Sequence, residues 1–197
     1  MHQYDTNQFN AIIKNRRSIT PPLYVKGKII PDEIIWQILE NANFAPNHKK
    51  TEPWRFTVFA GDGLHQLAKL QSKIYEDFSG EKFKEVQLKK LMDFPLMSSH
   101  VIAIKMRRSE ESKIREIEEI EATACAVQNM FLTATAYGLG AFWSTGGITY
   151  YEEAKQFFGL EAHDKLLGFF YLGYLENEIG DGYRRGDVKE KVEWVNG

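Results

Sequence analysis

The chain has 197 residues, 43% hydrophobic and 13% aromatic, with a formal net charge of −2. These values suit one globular domain with a sizeable core and exclude intrinsic disorder. They give no general attraction to nucleic acid or an anionic membrane, so any basic character is local. The one cysteine, Cys125, excludes an intrachain disulfide and suits a reducing compartment. The N-terminus lacks an apolar signal core, and no apolar run nears the ~20 residues of a membrane helix. A soluble cytoplasmic protein is the expectation.

Residues 6–15 place Phe9, Ile12 and Ile13 on one side and read as a short helix, which Pro21-Pro22 prevents from resuming. Ile30-Pro31-Asp32-Glu33 opens a second helix, with proline early and carboxylates in the first turn. Its buried stripe is Ile34, Ile35, Ile38 and Leu39, and it ends before Pro46. Residues 45–59 then run from a polar, basic loop holding His48, Lys49 and Lys50 into the alternating pattern of a strand over 54–60. Pro53 suits the position just before that strand, because it cannot donate to a ladder. A helix is expected near 64–75, and the charged stretch 78–93 reads as an exposed helix or lid over the site.

Pro95 is expected to precede a second strand over 101–106, whose nearly continuous apolar run implies cover on both faces. Residues 114–137 form the longest helical segment, about 36 Å at 1.5 Å per residue. Its first half reads as a solvated acidic end. Its second half has small residues on every face, which predicts burial all round, at the centre of the molecule or in a subunit interface, with Cys125 an inert core thiol. Gly138-Leu139-Gly140 caps it. A short strand from Ala141 to Ser144 runs into a Gly146-Gly147 turn, then a helix over 151–158 and a strong strand over 166–175. Strands separated by long helices predict a mixed sheet covered by helices.

Arg16-Arg17-Ser18 offers two guanidiniums and a hydroxyl, a set suited to phosphate because arginine makes bidentate charge-assisted bonds. Basic pairs at helix ends are also common on ordinary surfaces, where they favour the helix dipole. Arg184-Arg185 in the tail is open to the same two readings. His48 with Lys49 and Lys50 can border an anionic, planar ligand or be a solvated loop. Gly146-Gly147 can let a flat ligand approach the backbone or be only a turn. Gly138-x-Gly140 follows a helix, so it is no dinucleotide fingerprint. The histidines have no metal-ligand spacing, and no nucleophile elbow is present.

In chain order these pieces resemble the nitroreductase family of FMN-dependent oxidoreductases. The features are Arg16-Arg17-Ser18, Ala45-Pro46, Pro53-Trp54-Arg55-Phe56, and the helix through Ala124-Cys125-Ala126-Val127-Gln128-Asn129-Met130. Gly138-Leu139-Gly140-Ala141-Phe142-Trp143, Gly168-Phe169-Phe170-Tyr171-Leu172-Gly173 and the basic tail complete the series. The resemblance implies an α+β fold: a mixed, mainly antiparallel sheet flanked by helices, a long central helix, and an intertwined homodimer with two FMN sites at its interface. It carries Arg16, Arg17 and Ser18 to the phosphate and ribityl end, joined by Arg184 or Arg185. The loop from Pro46 to Pro53, with Asn47, His48 and Lys50, would line the isoalloxazine, and Trp143, Ser144, Gly146 and Gly147 would bring backbone against the ring. Much of the family has Asn and Gln at the positions of Lys50 and Glu52 and a basic residue near Thr20. Asn47-His48-Lys49 is closer to a short-chain subgroup with Pro-Asp-His-Lys, which makes His48 the leading flavin contact.

The resemblance further implies a ping-pong oxidoreductase taking electrons from NADH or NADPH and reducing nitroaromatics, quinones or other flat acceptors, with no metal. The alternatives are a flavin-fragmenting or reductive dehalogenating relative, a flavin-binding or sensing protein with little turnover, and an interaction module without flavin.

Overall fold

The computed structural model describes residues 4–110, 113–177, 179–180 and 182–196. Helix α1 (Thr6–Asn15) is capped by Asp5, whose carboxylate accepts from the N–H groups of Asn7 and Gln8 at 2.9 and 3.1 Å. No residue of α1 is buried, and Phe9 and Ile13 remain 56% and 40% exposed. The twin prolines form one 3₁₀ turn, Pro21–Leu23. Tyr24 then enters the core, where its hydroxyl donates to the carbonyls of Ile19 and Tyr171.

Helix α2 (Asp32–Asn43) buries Ile35, Ile38 and Ala42. Strand β1 (Trp54–Ala60) begins just after Pro53, as its alternation requires. Helix α3 (Asp62–Phe78) is longer than its apolar stripe suggested. The charged stretch beyond it forms α4 (Glu85–Met97), with Leu91 and Pro95 buried. Pro95 therefore lies inside a helix and not in the lead-in to a strand. Near a helix end its missing N–H forfeits only one ladder bond.

Strand β2 (His100–Met106), helix α5 (Glu116–Ala136), strand β3 (Leu139–Ser144), helix α6 (Glu152–Phe157) and strand β4 (Lys165–Tyr174) complete the fold. The sheet order is β1-β2-β4-β3, and each of these pairs is antiparallel, where the sequence suggested a mixed sheet. Successive strand side chains alternate faces, which divides the interior in two. Ile102, Ile104, Phe170 and Leu172 meet α2 and α5; Val101, Ala103, Phe169 and Tyr171 meet the layer containing Leu67 of α3, Leu91 of α4 and Ala154 of α6. Full burial of each large apolar side chain contributes about 1.5–3 kcal/mol.

The small residues of α5 let neighbouring backbones approach. Asn41 of α2 donates to Thr133, and Asn129 returns a bond to the Asn41 carbonyl, at 2.9 and 3.0 Å. Burial does not extend all round, however. Ala122, Ala126, Met130 and Ala134 are covered, while Cys125, Gln128 and Ala136 lie on an exposed arc, so Cys125 is not a core thiol. The acidic first half is not wholly solvated either. Glu119 is 1% exposed and pairs with Arg108, and it also accepts from the Ser109 N–H at 2.9 Å. No helix among the described residues is long and apolar enough to cross a membrane.

Candidate functional site

The residues singled out by sequence fall into three places. The first is the C-terminal end of α1. The Arg16 guanidinium lies over the Phe131 ring of α5, 5.2 Å from its centroid. Burial, then Arg184, then Arg17 hold the Arg16 pKa below its usual value. Three guanidiniums thus share one neighbourhood, and no carboxylate is ion-paired to any of them among the described residues. Arg17 turns back onto α1, donating to the carbonyls of Lys14 and Arg16, while its Nε is buried with no partner. Gly182 packs on its guanidinium, so the tail sets where Arg17 points. Beside Arg17 lies a cleft of about 560 Å³ between Ile19, Leu139, Leu175, Glu176 and Asn177. Ser18 is exposed at this end. Arg185 is exposed too and is not among the charges acting on Arg16.

The second place is the loop before β1. Asn47 clasps it from within: its Oδ1 accepts from the Glu52 N–H at 3.1 Å and its Nδ2 donates to the Ala45 carbonyl at 3.3 Å. Between these bonds Lys49, Lys50 and Glu52 hold φ of 52°, 56° and 43°, the left-handed region that side-chain-bearing residues avoid. Such backbone costs about 1–3 kcal/mol per residue and persists only where its surroundings enforce it. The surroundings here are specific. Arg55 donates to the carbonyls of Glu52 and Trp54, each at 2.7 Å. His48 Nδ1 lies 3.1 Å from Glu118 Oε2 in the first turn of α5. That hydrogen bond is the chief reason the Glu118 carboxyl sits below the usual carboxylate range.

The third place is the end of β3. Trp143 donates its indole N–H to the Leu167 carbonyl at 2.9 Å, and Ser144 pairs with Phe169. The Gly146-Gly147 turn follows. A Cβ on Gly147 would fall 2.7 Å from Cδ2 of Leu91, so α4 does reach this turn.

Within one chain the first two places are not brought together. Arg16 touches α5 at Phe131 and His48 touches it at Glu118, about 20 Å apart at 1.5 Å per residue. Sequence reading missed Glu118 and Gly182. The acid looked like one of several on a solvated helix end, and the contact of Gly182 with Arg17 is purely tertiary.

The model of one family, described as the nitroreductase family, matches residues 13–174. The chain belongs to the nitroreductase family. YfhC of Bacillus subtilis (strain 168), by name an NAD(P)H nitroreductase, is 30% identical over 195 residues, 97% of this chain and 95% of YfhC. A nitroreductase-like family protein from Bacillus cereus superposes with a TM-score of 0.82 at 28% identity, covering 100% of both chains. A Desulfovibrio desulfuricans nitroreductase solved in complex with FMN has the same fold, with a TM-score of 0.69 at 22% identity over 99% of this chain and 100% of that one.

Proposed function

We propose that this member of the nitroreductase family is an FMN-dependent NAD(P)H oxidoreductase that reduces flat acceptors such as nitroaromatics and quinones in a ping-pong cycle. The observation that carries the reading is the gathering of Arg16, Arg17 and Arg184, none of them ion-paired to a carboxylate among the described residues, with a buried Arg17 Nε left over. Like charges held together cost free energy unless an anion joins them, and a phosphate monoester supplies the charge and acceptor atoms that arginine matches. The donor set therefore fits the phosphate end of FMN, with Ser18 beside it.

The ring end is assigned to Asn47, His48 and Lys50 and to the backbone around Trp143, Ser144, Gly146 and Gly147. When bound, FMN supplies the ring that takes up and passes on hydride. The protein's part is to hold and polarise. Cations and donors at 48–50 favour the negative charge of the reduced state, and the stiff loop keeps them in place without reorganisation. Stacking of a flat donor and then a flat acceptor in one slot requires no nucleophilic side chain, and His48 can carry a proton at its ring nitrogen.

The separation of the two ends along α5 supports a site composed from two copies. So do the bare face of α1 and the exposed arc of α5, whose Phe9, Ile13, Cys125 and Ala136 we assign to a homodimer interface. Purified protein is expected to be yellow, to bleach anaerobically with NADH or NADPH, and to regain its colour with a nitroaromatic. A protein that takes up no FMN overturns the reading. Bound flavin that no nicotinamide reduces points instead to a sensing role.

A further inference from the structure

We propose that Glu118 is a positioning residue: it holds the His48 imidazole by Nδ1, so that Nε2 is the atom the loop presents to the edge of the bound ring. This rests on the FMN reading above and assigns a role to a side chain outside the binding set. Glu118 stands in the first turn of α5, where its carboxylate lies 3.1 Å from His48 Nδ1 and also accepts from the Arg115 N–H at 3.3 Å. The second contact is the helix cap that fixes the carboxylate in space. A carboxylate is acceptor only, so the His48 nitrogen facing it bears the hydrogen. In the neutral ring Nε2 is then the open lone pair, and in the charged ring it is a donor.

The loop gives this contact its purpose. Three left-handed non-glycine residues follow His48 within four positions, so the loop backbone is held against its own preference. Asn47 holds the loop internally and Arg55 holds its exit, and the bond to Glu118 ties the loop to the central helix. Next to it, Glu119 fixes Arg108 and the Ser109 N–H, and the Arg107 N–H donates to the Pro53 carbonyl at 2.9 Å. Successive carboxylates of α5 thus brace the two segments that flank the start of β1. Glu118 does for His48 what a carboxylate behind a metal-bound or catalytic histidine does elsewhere, fixing tautomer and aim.

The test is a double-mutant cycle on the FMN-loaded protein with Glu118→Ala, His48→Gln and both. Each variant is read by FMN dissociation constant from fluorescence quenching and by reoxidation of the reduced protein with 1,4-benzoquinone. ¹⁵N spectra of the His48 ring in cofactor-free protein supply a reading independent of turnover. Glu118→Gln keeps an oxygen for both the His48 Nδ1–H and the Arg115 N–H and serves as the control, expected to match the parent. The expected result is a loss of roughly three- to ten-fold in affinity or reoxidation rate for either single variant and no further loss for the double. The ring spectrum should show hydrogen on Nδ1 in the parent and a move toward Nε2 in Glu118→Ala. Glu118→Asp, with the shorter reach, should restore less than half of the loss. Losses that multiply in the double variant, or a ring spectrum indifferent to residue 118, overturn the proposal while leaving FMN binding intact. Failure of the parent itself to bind FMN overturns the functional reading and this role together.

Discussion

A Cβ at Gly182 would lie 2.3 Å from the guanidinium carbon of Arg17, closer than any side chain tolerates. The obstacle is the far end of a flexible side chain, so Gly182→Ala should leave unfolding stability within about 0.5 kcal/mol of the parent. Arg17 must move aside, however. FMN affinity should fall about ten-fold, as expected for one displaced charge-assisted contact of about 1.5 kcal/mol. Thermal unfolding and FMN titration of the same preparation check the two halves.

Arg16→Ala with Arg17→Ala should weaken FMN retention by about 100-fold or more, since hydrogen bonds to charged groups contribute about 1.5–3 kcal/mol each. Riboflavin, lacking the phosphate, should bind both proteins equally weakly. Unchanged flavin content in the double variant would remove the phosphate assignment. Comparison of FMN and riboflavin titrations separates the two ends of the ligand.

His100 is 2% exposed; its Nδ1 lies 2.8 Å from Ser99 Oγ, which accepts from the Ile30 N–H, and its Nε2 lies 3.6 Å from Asp32. Burial holds its pKa below the usual histidine value, against an opposing pull from Asp32. As pH falls below about 6.5 the unfolded chain takes up the proton before the folded one. Stability is therefore full above that pH, is lost as pH drops toward the folded-state value, and changes no further on this account below it. Urea unfolding between pH 8 and 5 should show this loss, and His100→Asn should flatten it.

Arg108 and Glu119 form a pair in which the carboxylate is 1% exposed. Removing the cation leaves a buried charge uncompensated, so Arg108→Ala should destabilise by about 3–5 kcal/mol. Replacing both by methionine should recover most of that, because the pair's own net contribution is small. Denaturant midpoints of the three variants check it.

Much of the fold was legible because local signals agreed with tertiary demands. The strand 54–60 was read to the residue from Pro53 and the alternation after it, and α1 from its apolar spacing. Pro95 misled, because proline marks a boundary in sequence but is tolerated near a helix end. Cys125 misled for another reason: small neighbours permit close packing without saying which arc of α5 receives it. In the site, residue types were visible and their partners were not. Arg16, Arg17 and His48 stand out by chemistry, whereas Gly182 and Glu118 matter only through contacts far along the chain. Nothing in the run from Lys49 to Glu52 announces left-handed backbone, since no glycine marks it.

One consequence follows from α1, a ten-residue helix with no interior of its own. Segments that short scarcely hold their shape in water unaided. Arg16 and Arg17 follow directly on its last turn, so the hand we assign to the phosphate is attached to a wrist that needs outside support. Dilution should loosen the wrist first, and colour should leave the protein before the sheet has lost a single strand.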